Sequence, residues 1–137
     1  MEEFTNGLKA ITFILGGLMG IFTTIQDAVD GVFYALVACV VVDYITGVIT
    51  AIGTKKWNKD IGLRGIAKKL LIFIIVCLGI ILDVKVLQRG SILQTSFSMF
   101  YISTELISII ENYDKMGLPI PKKLKNFIEE IRKEDDE

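Results

Sequence analysis

Histidine is missing from the 137 residues, and the only cysteines, Cys39 and Cys77, sit inside apolar runs. Without histidine, a CxxC pair or clustered ligand residues, no structural or catalytic metal site is expected. Two separated thiols in hydrophobic surroundings read as buried side chains, and no disulfide framework is implied. The basic residues flank apolar blocks and form no aromatic-interleaved patch, so nothing argues for nucleic acid as a partner. Glu2 and Glu3 stand where a secretory leader carries its bases, and a cleavable signal peptide is not expected.

What the chain has in quantity is hydrophobic side chains. They make up 52% of it, and the mean hydropathy is +0.55. They are gathered into four blocks, roughly residues 8–25, 29–52, 66–84 and 92–110. A hydrocarbon core about 30 Å thick takes about 20 helical residues to cross. The expected fold is therefore an all-α membrane protein, with about four transmembrane helices in residues 1–112 and a cytoplasmic tail over 113–137.

The formal net charge is only −1, but its distribution sets a topology. Lys55, Lys56, Lys59 and Arg64 follow the second block, and Lys115, Lys122, Lys123, Lys125, Arg132 and Lys133 follow the fourth. The first connection has Asp27 and Asp30 and no base, and the third has only Lys85 and Arg89. Four spans with both termini in the cytoplasm satisfy the positive-inside bias.

The stretch from Asp43 to Lys69 places charge inside this apolar frame. If its hairpin turns near Lys56, equal distances along the two arms bring Asp43 opposite Lys69. A charge at the bilayer centre costs roughly 2.5 to 3.5 kcal/mol on insertion scales, and such residues pair, face a bundle interior or line a water path. Pinning two helices together and lining a pore both remain open for Asp43. Lys68 points about 100° from Lys69 and is expected to snorkel to the surface. Trp57 suits the headgroup level.

The fourth block carries a polar seam. Gln94, Ser98, Tyr101, Glu105, Ser108 and Asn112 recur at steps of four, three, four, three and four, which is one face of a helix. That seam must be hidden or wetted. Depth along the hairpin brings Glu105 within about one to one and a half turns of Lys69, so Asp43, Lys69 and Glu105 are expected to form one buried cluster. Asp83, near Lys85 and Arg89, is expected at the outer interface. Gly16 and Gly20 form a GxxxG pair suited to close packing, within the chain or between copies, and Gly47 leaves a groove beside Asp43.

Gly117, Pro119 and Pro121 end the fourth helix. Leu124, Phe127, Ile128 and Ile131 then recur on one side of a short amphipathic helix that lies on the membrane or packs on a neighbour. The final EDDE reads as a solvated tail.

In order, DYITG at 43–47, GLRGIAKK at 62–69, the acid at Asp83, ELISIIEN at 105–112 and GLPIPKKL at 117–124 resemble bacteriophage and toxin-secretion holins of the clostridial toxin-release type. The resemblance covers most of the chain, and the first block contributes little to it. It implies a small multi-pass protein of the bacterial cytoplasmic membrane that oligomerises and opens lesions, releasing a murein hydrolase or a large toxin without touching either. It also implies no enzyme, no catalytic residue and no cofactor. Asp43, Lys68, Lys69, Glu105 and Asn112 match recurrent positions of the family that have no assigned chemistry. Two other readings use the same features: a small proton-coupled multidrug transporter, and an antiholin or membrane scaffold. The transporter is expected to carry its working acid in the first span, where this sequence has none.

Overall fold

The computed structural model describes residues 1–136, and the last acid of the tail, Glu137, lies outside them. Among the described residues the chain is all-helical, with no strand. It runs as α1 (Glu2–Ala28), α2 (Gly31–Gly53), α3 (Lys59–Leu82), a π-helical turn (Asp83–Leu87), α4 (Ile92–Lys115) and α5 (Lys122–Asp135).

Local chemistry sets the ends. Asp30 caps α2 by accepting from the Phe33 N–H at 3.0 Å, and Asn58 caps α3 by accepting from the Ile61 N–H at 2.8 Å. Because Asn58 starts α3 seven residues before the apolar run, most of the expected second connection is helix. The hairpin shrinks to a turn, with Lys55 at φ +56°. Apolarity marked the part of each helix suited to lipid, whereas caps decide how far the helix extends. At the other end, Gln88 and Gly90 at φ +51° and +64° close the turn that leads into α4.

α4 is the central strut. It packs along α2 and against α3, whereas α2 and α3 meet through side chains with their backbones apart, and α1 leans mainly on α3. Leu36, Val40, Ile72 and Val76 form the buried apolar core, edged by Phe33, Phe73, Phe97, Tyr101 and Ile102. Ile80 and Ile128 are buried outside that cluster, and the rest of the interior carries polar side chains: Asp43, Thr46, Thr50, Asp83, Gln94, Ser98, Glu105 and Asn112 are all buried. Large apolar side chains such as Phe13, Leu18, Leu71 and Ile74 face outward instead. A surface of that kind has lipid as its natural solvent.

Among the described residues, three segments are long and apolar enough to cross a membrane: α1, α2 and Lys59–Leu87. α4 falls outside that set although its 24 residues, about 36 Å of helix, would reach across. Its polar seam lowers its hydropathy, so its place in an apolar phase depends on α2 and α3 covering that seam.

Close contact between α3 and α4 rests on Gly79. A Cβ there would lie 2.9 Å from Cδ2 of Phe97 and 3.3 Å from the Gln94 backbone nitrogen. Gly79→Ala should therefore force the two helices apart and cost about 1–3 kcal/mol, as overpacking does. Thermal unfolding of the detergent-solubilised chain checks this, and an unchanged midpoint would show that the contact yields without strain.

Candidate functional site

Each of the three central helices supplies one member of a buried ion cluster. Nζ of Lys69 on α3 donates to Oδ2 of Asp43 on α2 and to Oε2 of Glu105 on α4. The side chains of Asp43 and Glu105 are 9% and 4% exposed, and that of Lys69 is 18% exposed. Removing one partner from such a group strands the others, at a cost of about 3–5 kcal/mol. Two carboxylates and one ammonium also leave one formal negative charge in excess.

The network continues toward the hairpin. Nδ2 of Asn112 donates to Oδ1 of Asp43 at 3.3 Å and to Oγ1 of Thr46 at 3.0 Å. The Thr50 hydroxyl donates to the Thr46 carbonyl at 2.7 Å and lies 3.3 Å from the Asn112 carbonyl. Thr46 and Thr50 share the Asp43 face, a spacing visible in the sequence. Their partner across the bundle was not, because it depends on the rotation of α4 against α2. Gly47 faces Asn112, and a Cβ there would make an ordinary contact with Nδ2 at 3.6 Å.

Toward the opposite end the seam changes character. Asp83 is 2% exposed, and its two oxygens accept the N–H groups of Leu93 and Gln94 at 3.0 and 2.8 Å. It thus caps α4 from a turn nine residues upstream. Gln94 and Ser98 are buried, and Nε2 and Oγ respectively have no hydrogen-bond partner. Ser98→Ala is accordingly expected to leave the bundle unchanged or to stabilise it by up to about 2 kcal/mol, because it deletes an unpaired buried group. Chemical denaturation in detergent reads the effect, and a loss above 1 kcal/mol would show that the hydroxyl is bonded.

The other residues picked out from the sequence lie apart from this cluster. Tyr101 and Ser108 are half-buried, and Lys68 is exposed. Gly16 and Gly20 open onto empty space, with nothing inside 4 Å of an added Cβ, so none of the described residues packs on them. At the end of α4, α5 folds back through Arg132 Nε to Glu111 Oε1 at 2.9 Å and Lys125 Nζ to Asp114 Oδ1 at 3.4 Å. Hydrogen bonding to Glu111 raises the Arg132 pKa further above its ordinary value. Ile128 is buried at this contact, whereas Phe127 is 54% exposed.

A cavity of about 190 Å³ opens beside the cluster at the hairpin end, lined by Asp43, Lys69, Ser108 and Asn112 on one side and by Tyr44, Val48, Ala51 and Trp57 on another. Tyr44 seats in a notch left by Gly62 and Gly65, whose added Cβ atoms would come within 3.7 and 3.5 Å of its side chain. Nothing in the spacing of these residues announced that notch. Among the described residues, no three His, Cys, Asp or Glu side chains are placed to hold a metal.

Comparison with known proteins bears on what such a site serves. A family model described as the Bacteriophage holin family matches residues 10–133. An uncharacterized 14.9 kDa protein in the nagH 3′ region of Clostridium perfringens is 39% identical over 132 residues, covering 96% of this chain and 97% of that protein. The holin-like protein TcdE of Clostridioides difficile is 29% identical over 144 residues, covering 90% and 84%. The uncharacterized protein YqxH of Bacillus subtilis is 33% identical over 97 residues, covering 71% and 69%. No solved structure gives a significant match.

Proposed function

The chain belongs to the bacteriophage holin family, and from that premise we propose that it oligomerises in the bacterial cytoplasmic membrane and opens lesions that release a protein held in the cytoplasm. The passenger is a murein hydrolase in a phage or a signal-less toxin in a toxin locus, and neither needs to touch the chain. The reaction is physical, an opening of the bilayer, and no catalytic residue or cofactor takes part in it.

The observation that carries this reading is the inverted interior. A protein that buries Asp43, Glu105 and Asn112 around the part-buried Lys69 and turns many of its apolar side chains outward holds a second surface in reserve. Within one chain, α2 and α3 cover the seam of α4. In an assembly the same seam can face water, and the ion cluster can exchange its internal partners for water or for a neighbouring copy. The three-helix cluster then acts as the clasp of the closed form, and the polar face of α4 becomes the lining of the open one. Gly16 and Gly20, which none of the described residues covers, are free for packing between copies.

In this reading residues 1–112 form the membrane domain. α1, α2, α3 with its π turn, and α4 each cross, both termini lie in the cytoplasm, and 113–137 form a tail whose α5 rests at the membrane surface. The same architecture would serve a restraining antiholin.

Inducible expression alongside a cytoplasmic murein hydrolase without an export signal tests the proposal, with optical density and membrane potential followed together. Abrupt loss of turbidity only when both proteins are present is the expected result. Continued growth with an intact potential, despite confirmed membrane insertion, would overturn lesion formation and leave the restraining role.

A further inference from the structure

The backbones of α2 and α3 stay apart, and the two helices meet through side chains: Leu36 and Val40 with Ile72 and Val76, Phe33 with Phe73, Asp43 with Lys69 and, toward the hairpin, Tyr44 in its glycine notch. The cleft between them therefore has two chambers. On the bilayer-centre side of Tyr44 lies a cavity of about 220 Å³, walled by Val40, Val41, Leu70 and Phe73, with Lys69 also in its lining. On the hairpin side lies the cavity of about 190 Å³ with Asp43 and Lys69 at its inner wall and Trp57 at its mouth. From Val40 to Ala51 the cleft follows α2 for about 16 Å at 1.5 Å per residue. Its long axis is thus the helix axis, with its apolar end deep in the bilayer and its polar end at the hairpin. Each chamber alone is smaller than the usual ligand pocket of about 300–1,000 Å³, so an occupant of that size has to use both.

That order, apolar inside and polar at the interface, is the order of a phospholipid. The charges select the headgroup. Lys69 is outnumbered by two carboxylates, and Asp43 is the one that faces the cavity, so a cation with N–H donors is favoured there. At the mouth, Trp57 stands between Lys56 and Lys59 in the chain, which favours an anion. We propose that the α2–α3 cleft binds one molecule of phosphatidylethanolamine, with an acyl chain in the apolar chamber, the ammonium at Asp43 and the phosphate at the basic hairpin. Phosphatidylglycerol offers the phosphate without the ammonium, and phosphatidylcholine offers a cation that cannot donate a hydrogen bond.

Native mass spectrometry of the full chain, purified in detergent and equilibrated with equimolar phosphatidylethanolamine and phosphatidylglycerol of matched chains, tests the assignment. One phosphatidylethanolamine should be retained per chain, preferred about tenfold, the return of one charge-assisted hydrogen bond. Asp43→Asn should erase the preference while lipid is still retained. Ala51→Phe, on the half-buried wall of α2, and Gly62→Leu should each abolish retention by filling the hairpin chamber. Equal retention of the two lipids by the unmutated chain, a preference for phosphatidylglycerol, or retention surviving both filling changes would overturn the site. The lysis experiment and this one read different properties, so failure of either leaves the other standing.

Discussion

Lys69→Met should bring lysis forward, because it removes the one ammonium that keeps Asp43 and Glu105 together inside the bundle. With methionine in place the side chain still fills its volume, but two carboxylates face each other in an apolar setting with nothing between them. Uncompensated buried charge of this kind costs about 3–5 kcal/mol. At 1.4 kcal/mol per tenfold, the closed form loses about two to three and a half orders of magnitude against forms in which the acids reach water. The measurement is the time from induction to loss of turbidity, in the presence of a cytoplasmic murein hydrolase and at matched amounts of protein in the membrane fraction. An unchanged schedule at matched amounts would show that the cluster does not hold the closed form.

Rescue separates the clasp from a simple folding defect. Asp43→Asn and Glu105→Gln combined with Lys69→Met remove all three charges together, and replacing a whole buried ion group is far less costly than breaking one. The triple variant should therefore accumulate in the membrane as the parent does and lyse later than Lys69→Met alone. A triple variant that lyses as early as the single one would assign the effect to lost packing at position 69 rather than to charge.

How much of this was legible beforehand depended on whether a feature is periodic or three-dimensional. Helices, their apolar stretches and the seam from Gln94 to Asn112 follow from repeats of three and four, which a sequence displays openly. The meeting of Asp43 with Lys69 follows from a hairpin, where equal arm lengths substitute for a structure, and Glu105 follows by depth along the same axis. Rotation is another matter. That Asn112 reaches Thr46 as well as Asp43, and that Tyr44 finds a notch between Gly62 and Gly65, depends on how far each helix turns about its own axis, which spacing along one chain leaves free. For Asp83 it was the partner that stayed hidden. An acid beside Lys85 and Arg89 near the end of an apolar run gives no sign that it accepts, across the π turn, from the first N–H groups of α4.

Loss of that cap carries the second large effect. α4 begins without a side-chain cap from its own flanking residue Ser91, and the carboxylate of Asp83 takes two of its first N–H groups instead. In water a missing cap costs about 0.5–2 kcal/mol, since solvent satisfies the freed groups. Here the Gln94 end is 1% exposed, and each charge-assisted bond carries about 1.5–3 kcal/mol. Asp83→Ala should accordingly cost about 3 kcal/mol or more, with hydrogen exchange quickening at Leu93 and Gln94 while Asn112, bonded to α2 at the far end, keeps its protection. Asp83→Asn, which retains one carbonyl acceptor, should fall between the two. Because Nε2 of Gln94 and Oγ of Ser98 make no hydrogen bond, freeing this end leaves the first half of α4 held by packing alone, through Phe97, Tyr101 and Ile102, and it loosens before the ion cluster is touched. Uniform protection along α4 in Asp83→Ala would show that the helix is anchored from Glu105 and Asn112 alone, and that opening must start at the clasp.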